Sequence, residues 1–306
     1  MSENLLGQAG QTATVEGAVK TLKELLGQER IAVHSGPFHA DDVVSIALLR
    51  VLGFKGEIVR TRDKEILKSV VGIDVSDSRC GGQFDHHGPA AAPDTCALTK
   101  LWSFVRTSLD AVAASRFESL MGQDFASVAA IDSGSCRNPA ERPNMFGWVH
   151  LLNDASDASF FKAVEMAETI LKAALTQAEE WASTLAEAKE AMEAAAGGIP
   201  VLKTFRQGMK EALWTLGCLS KFFVSPHGET EWGVIQCCPV GGTFNPFGFQ
   251  QYLPKSWAGL RGEALQAASG YASAIFAFAP APKFEVVMAY FGSLEDAVNC
   301  AETCSK

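Results

Sequence analysis

The sequence predicts an α/β fold: a mostly parallel sheet flanked by helices, followed by a second, smaller α+β domain that a long helix joins to the first. Three observations predict it. Up to Asp132, short apolar runs alternate with helical stretches, the pattern that builds a parallel sheet covered on both sides. From residue 157 to about 196, an alanine-rich stretch carries Phe161, Val164, Leu171, Leu175, Ala178, Trp181, Leu185, Ala188 and Met192 at helical spacing, and Gly197-Gly198 stops it. Beyond that stop, residues 199–203, 221–225, 232–238 and 274–279 read as strands. A chain of 306 residues has room for two cores, and the boundaries are expected at 1–28, 29–156, 157–197 and 198–306.

Taken in order, residues 15–26 place Val15, Val19, Leu22 and Leu26 on one stripe of a helix outside the core. Residues 30–33 are apolar enough for a short buried strand, which runs straight into His34. The string from Val43 to Leu52 is helical in propensity and apolar almost all round, and Gly53 ends it. A second short strand is expected over 57–60, a helical turn or two over 63–69, and a third strand over 70–74. Residues 83–85 read as a further strand, closed by the turn signal Gly88-Pro89. A helical pattern over 94–115 puts Leu98, Leu101, Trp102, Val105 and Leu109 on one face, and the apolar run 125–131 ends in Asp132. Two prolines in 138–143 mark a loop.

Four of these apolar segments hand over hard ligands. His34 and His39 flank the first turn, with Asp41 and Asp42 beside them. Asp74 follows the third strand, Asp85, His86 and His87 follow the next, and Asp132 closes the last. Strand ends suit such groups, because the strand fixes the ligand while the loop admits substrate. Imidazole with several carboxylates is a ligand set for Mn²⁺, Mg²⁺, Fe²⁺ or Zn²⁺, whereas a structural zinc site asks for cysteine pairs that these clusters lack. A pair of cations needs a shared carboxylate, and Asp74, lying between the flanking clusters, is the choice; Asp77 is its alternative. Asp42 reads as the cap of the following helix, and Asp85 as the acceptor that orients a histidine or as a strand-end cap. His150 and His227 lack acidic neighbours in sequence and read as structural or exposed.

Composition sets bounds. The content is 47% hydrophobic and 20% charged, ordinary for a folded globule, and no run has the length of a membrane span. With the polar start Met1-Ser2-Glu3-Asn4, the expectation is a soluble intracellular protein of cytoplasm, nucleus or mitochondrion. A net charge of -9 argues against a surface that coats nucleic acid generally, although carboxylates that hold cations contribute to that sum. The eight cysteines contain no CxxC pair and read as reduced thiols.

The order His34, His39-Ala40-Asp41-Asp42, then Asp74, then Asp85-His86-His87, then Ile131-Asp132-Ser133-Gly134 resembles the DHH phosphoesterase superfamily. The wording from His34 to Val43 resembles one branch, the melanocyte-proliferating-gene (Myg) family of metal-dependent hydrolases and exonucleases. So does the stretch from Leu253 to Leu265, followed by Ser269-Gly270 and Ala274-Ile275-Phe276. The similarity runs from about His34 to about Glu302. It implies a DHH-type core in which His34 and His39 bind one metal, Asp41, His86 and Asp132 the second, and His87 contacts or protonates the phosphate. His39 stands where most of the superfamily has an aspartate, which shifts preference towards imidazole-accepting metals, Mn²⁺ first, with Fe²⁺ or Zn²⁺ ahead of Mg²⁺.

The resemblance also gives the second domain the substrate tail, with Arg261 and then Lys255 as its basic candidates. A plain turn with an exposed arginine competes with that role. Two departures stand out. Gln250-Gln251-Tyr252 replaces an arginine-bearing stretch of the Myg pattern, and Phe278 replaces a histidine. The function expected is a two-metal phosphoesterase, a 3′–5′ exonuclease on RNA or short oligonucleotides. The alternatives are a hydrolase of small phosphate esters such as nucleotides or pyrophosphate, and a metal-binding scaffold without turnover.

Overall fold

A computed structural model of the chain describes residues 18–75, 79, 82–87, 92–136, 145–241, 243–245, 248, 251–280 and 285–306. Two compact units divide the chain, Met1–Ala178 and Glu179–Lys306.

In the first unit, β1 (Arg30–Val33) is the centre of a parallel sheet of order β2-β1-β3, with β2 at Glu57–Arg60 and β3 at Val71–Ile73. Ile31, Ala32 and Val33 are fully buried, as a central strand covered on both faces requires. α1 (Leu22–Leu26) precedes β1, α2 (Ala40–Val51) connects it to β2, and α3 (Lys64–Leu67) connects β2 to β3. The chain therefore places β2 on one side of β1 and β3 on the other. That reversal opens a crevice at the carboxyl ends of β1 and β3. α4 (Ala97–Val105), α5 (Ala111–Asp132), α6 (Met145–Leu152) and the start of α7 (Asp157–Ala195) complete the unit. Phe38, Phe117, Phe125 and Phe160 are among its core side chains.

In the second unit, the later turns of α7 pack Ala188 and Ala191 with Leu202, Leu213 of α8 (Met209–Thr215) and Phe223. The sheet here is antiparallel, of order β4-β5-β7-β6, with β4 at Phe222–His227, β5 at Glu231–Gln236, β6 at Ala274–Phe278 and β7 at Met288–Phe291. α9 (Gly262–Ser269) and α10 (Leu294–Ser305) cover one of its faces: Val224, Val234, Ala277, Ala289 and Phe291 share a core with Leu265, Ala297 and Cys300.

The α/β class stands, and several local expectations do not. Residues 83–85 form no strand; Phe84 alone pairs with Ile73, because the Asp85 N–H turns back to the Gly82 carbonyl at 3.0 Å. The pattern over 94–115 is two helices, broken where the Asp110 carboxylate accepts from the N–H groups of Val112 and Ala113. The apolar run 125–131 is the last part of α5. Residues 199–203 contribute a single bridge, Val201 to Val224, rather than a strand. The helix expected over 15–26 is seen only as α1, residues 1–17 lying outside the described region, as do Asp77, Gly88-Pro89, the loop 138–143 and Gln250. The seven described cysteines are free thiols. No helix among the described residues is long and apolar enough to cross a membrane.

Candidate metal centre

β1 ends at Val33 and β3 at Ile73, and these two residues are paired in register, so the residues that follow them, His34 and Asp74, emerge side by side. His34 Nε2 lies 3.3 Å from Asp74 Oδ2 and 3.2 Å from Asp42 Oδ2. Asp74 adopts a left-handed backbone, φ +51°, which a residue other than glycine tolerates only at a cost of about 1–2 kcal/mol. Its N–H donates to the Phe84 carbonyl at 3.0 Å, joining the strand end to the segment that carries Asp85, His86 and His87. Asp41 and Asp42 come from the first turn of α2, and Asp132 is the last residue of α5.

Asp42 caps its helix: its Oδ1 accepts from the His39 N–H at 3.0 Å and the Val43 N–H at 2.7 Å. Asp41 accepts from the Ala97 N–H at 3.4 Å, the start of α4. His86 Nδ1 lies 3.4 Å from Asp74 Oδ1 and 3.8 Å from Asp41 Oδ2, while its Nε2 is 2.8 Å from Asp132 Oδ2. His87 is exposed, with Nδ1 2.7 Å from Asp85 Oδ1 and 3.4 Å from Asp74 Oδ1. His39 is exposed too, its ring 5.7 Å from that of His34. A cavity of about 340 Å³ opens beside His86, His87, Asp132 and Ser133.

Among the described residues, three overlapping sets of donors have all their ligand atoms within 4.8 Å: His34, His39 and Asp74; Asp74, Asp85, His86 and His87; His39, Asp41 and Asp132. All six expected ligands fall within these sets, and Asp74 belongs to two of them. The grouping differs in detail from the one the resemblance implies, since Asp41 and Asp132 gather with His39, and His86 with Asp74 and Asp85.

The electrostatics fit a cation. Asp41 and Asp42 are fully buried and Asp74 is 3% exposed; Asp42 Oδ2 and Asp132 Oδ2 face the imidazoles of His34 and His86, while Asp41 Oδ1, Asp74 Oδ1 and His86 Nδ1 lack hydrogen-bond partners. Buried polar atoms rarely remain so, because each forfeits its hydration. Burial pushes the Asp41 carboxyl well above the usual range, with repulsion from Asp74, Asp132 and Asp42 adding to it. Asp42 is raised by burial against the opposing pull of His34. Burial lowers the His34 imidazole, but contacts with Asp42 and Asp74 outweigh it and raise the group to about 10. Contact with Asp132 raises His86 against its burial. The donors are the oxygen and imidazole set of a divalent cation, and one bound among them would satisfy the orphaned atoms.

Sequence reasoning missed the residues that hold the first turn. Arg60, its side chain 2% exposed, donates to the Gly36 carbonyl and to Asp157, with its guanidinium 4.6 Å over the Phe160 ring. Asn153 accepts from the Phe38 N–H and donates to the Phe38 carbonyl at 2.6 Å. Arg62 Nε donates to the Ser35 carbonyl at 3.2 Å, and its Nη2 lies 3.3 Å from His34 Nδ1. Lys100 donates to the carbonyl of Asp85. The available signal was the position of Arg60-Thr61-Arg62 at the carboxyl end of β2. Arg261 and Lys255 lie in the second unit. Arg261 precedes α9 with its guanidinium carbon 3.9 Å over the Phe276 ring, and Lys255 is 4.0 Å from Glu285.

The pattern of MYG1_exonuc, an uncharacterised protein family (UPF0160), matches residues 30–99 and 140–281. Human MYG1 exonuclease is 26% identical over 316 aligned positions, which cover 85% of this chain and 82% of the human one. The mouse MYG1 exonuclease aligns equally well, at 26% over 319 positions, and covers 86% of this chain and 82% of its own. A fission yeast MYG1 protein (Schizosaccharomyces pombe) is 45% identical over 62 residues, 19% of each chain. Among solved structures, RecJ of Thermus thermophilus in complex with Mg²⁺ aligns with 93% of this chain and 50% of its own, at 16% identity and a TM-score of 0.23.

Proposed function

Because the chain belongs to the UPF0160 (MYG1 exonuclease) family, we propose that it is a metal-dependent phosphoesterase that removes nucleotides from the 3′ end of RNA or short oligonucleotides. The single observation that supports this reading is the convergence of buried carboxylates and imidazoles, several of whose atoms lack hydrogen-bond partners, near the ends of β1, β3 and α5. Carboxylates crowded in a buried site repel one another, and positive charge placed among them relieves that repulsion. Two divalent cations, Mn²⁺ favoured by the three imidazoles of His34, His39 and His86, would be held by these with Asp41, Asp74 and Asp132, Asp74 being shared. Held there, such cations would supply Lewis acidity towards water and a phosphate oxygen.

The remaining roles belong to the chain itself. Asp85 fixes Nδ1 of His87, which leaves Nε2 of this exposed side chain to meet a phosphate oxygen or to deliver a proton to the departing one. The cap made by Asp42 and the clamps of Arg60 and Asn153 hold the turn that carries His34 and His39. Placement within a fraction of an ångström is what such a site needs.

The test is turnover with Mn²⁺ against 5′-labelled short RNA, short DNA, nucleotides and pyrophosphate. A ladder of 5′-labelled fragments shortened one nucleotide at a time supports the proposal. Hydrolysis of the small phosphates alone replaces it with a metabolite hydrolase, and no turnover of any substrate leaves a metal-binding scaffold.

A further inference from the structure

We propose that the open part of the second unit's sheet is a stacking platform for the unpaired bases of a single-stranded oligonucleotide, an inference that rests on the exonuclease reading for its choice of ligand. The sheet has one face under α9 and α10. On the other, Phe223 and Ile235 pack with Ala188, Leu202 and Leu213, but the rest of that face carries His227, Tyr290, Phe276 and Phe278. Phe278 is 38% exposed, His227 is exposed, and Phe276 and Tyr290 are half-buried.

The rings form one contiguous path across the strands. His227 and Tyr290 have centroids 4.6 Å apart, and Tyr290 and Phe276 are nearly parallel, at 8° and 6.4 Å. Phe276 and Phe278 are 6.3 Å apart, and Phe205, 63% exposed, extends the path beyond His227 at 6.3 Å. Cross-strand aromatic pairs stabilise a sheet, but that role does not call for leaving the outer rings in water. Gly233 explains how the path crosses β5: it lies opposite both Ser225 and Tyr290, and the room left by its missing side chain is taken by the Tyr290 ring, whose Cε1 is 3.4 Å from where a side chain would begin.

Charge selects the occupant and its direction. Arg261, exposed, has its guanidinium carbon 3.9 Å over Phe276 and supplies positive charge at that end, while Glu231, opposite His227, is acidic at the other. A row of π-faces ending in a guanidinium suits bases joined by phosphates, since every base has a π-face and arginine both stacks and pairs with phosphate. It also uses Phe278 as a ring, where the Myg pattern has an imidazole.

The experiment is fluorescence anisotropy of the full chain with a 5′-fluorescein single strand of about ten nucleotides, within the usual site sizes. EDTA is present, so nothing is hydrolysed. Tyr290→Ala should weaken binding about tenfold, the loss of one base stack. Tyr290→Phe should stay within about twofold, because its π-face is kept. An abasic strand should bind wild type more weakly than the normal strand binds Tyr290→Ala, because it gives up every stack and not one. Should Tyr290→Ala fail to fold, Tyr290→Leu, apolar without a π-face, takes its place. Equal affinity for abasic and normal strands, unchanged binding by Tyr290→Ala, or no binding by wild type overturns the platform. Binding that needs Tyr290 without shortening of the strand in Mn²⁺ overturns the exonuclease reading instead and leaves the platform standing.

Discussion

Asp74 Oδ2 lies 3.3 Å from His34 Nε2 while its other oxygen lies 3.4 Å from His86 Nδ1. One carboxylate thus faces imidazoles delivered by two different chain segments. The left-handed backbone at Asp74 is the local strain that makes this possible, and the register of β1 with β3 sets its position.

Asp42 holds the turn rather than a cation in this account, so its charge and its capping oxygen can be separated. Asp42→Asn keeps an acceptor for the N–H groups of His39 and Val43 and should retain metal. Asp42→Ala should lose about 1–2 kcal/mol, the worth of a buried cap. Urea denaturation and metal content of both variants check this; loss of metal by the folded Asp42→Asn protein would make Asp42 a ligand.

Arg60→Ala should cost about 3 kcal/mol in stability, because a buried guanidinium stacked on Phe160 and bonded to Gly36 is lost. Asp157→Ala should cost less than about 1 kcal/mol, since Asp157 is 71% exposed and the pair is screened on that side. Equal losses in the two denaturation curves would show that the ion pair, and not the clamp on the first turn, is what Arg60 contributes.

The metal-free protein should lose stability on the alkaline side. His34 is raised to about 10 from an ordinary 6.5, so its contribution is complete below about pH 6.5 and disappears as pH rises through about 10. A cation bound to His34 replaces that proton, so Mn²⁺ uptake should release protons and tighten as pH rises. Calorimetry in buffers of different ionisation enthalpy measures the release; uptake with no proton change would mean that His34 is not a ligand.

Much of this was legible beforehand, for physical reasons that differ by region. β1 and β2 were readable to the residue, and β3 nearly so, because a buried parallel strand is a short apolar run with little else to mimic it. α7 announced itself through its length and period. The segment 83–85 misled, since Phe84 has strand chemistry but its neighbours Gly82 and Asp85 close a turn. Ile199–Val201 misled in the same way, one bridge being all that a run just after a helix stop could reach. β7 and α10 were missed, because Met288–Phe291 is only four residues long and Leu294–Ser305 places small residues, Ala297, Cys300 and Ala301, on its buried face. At the site, the ligand-type residues were visible as types. Arg60, Arg62 and Asn153 were not, because their roles rest on carbonyls of Gly36, Ser35 and Phe38 that no side-chain pattern marks.

The most direct measurement is the metal content of stripped and Mn²⁺-reloaded protein by mass spectrometry, for wild type, Asp74→Ala and His87→Ala, alongside turnover. The account predicts two ions per chain in wild type, loss of metal and turnover together in Asp74→Ala, and loss of turnover with metal retained in His87→Ala. Full metal in Asp74→Ala, or equal metal loss in both variants, would contradict it.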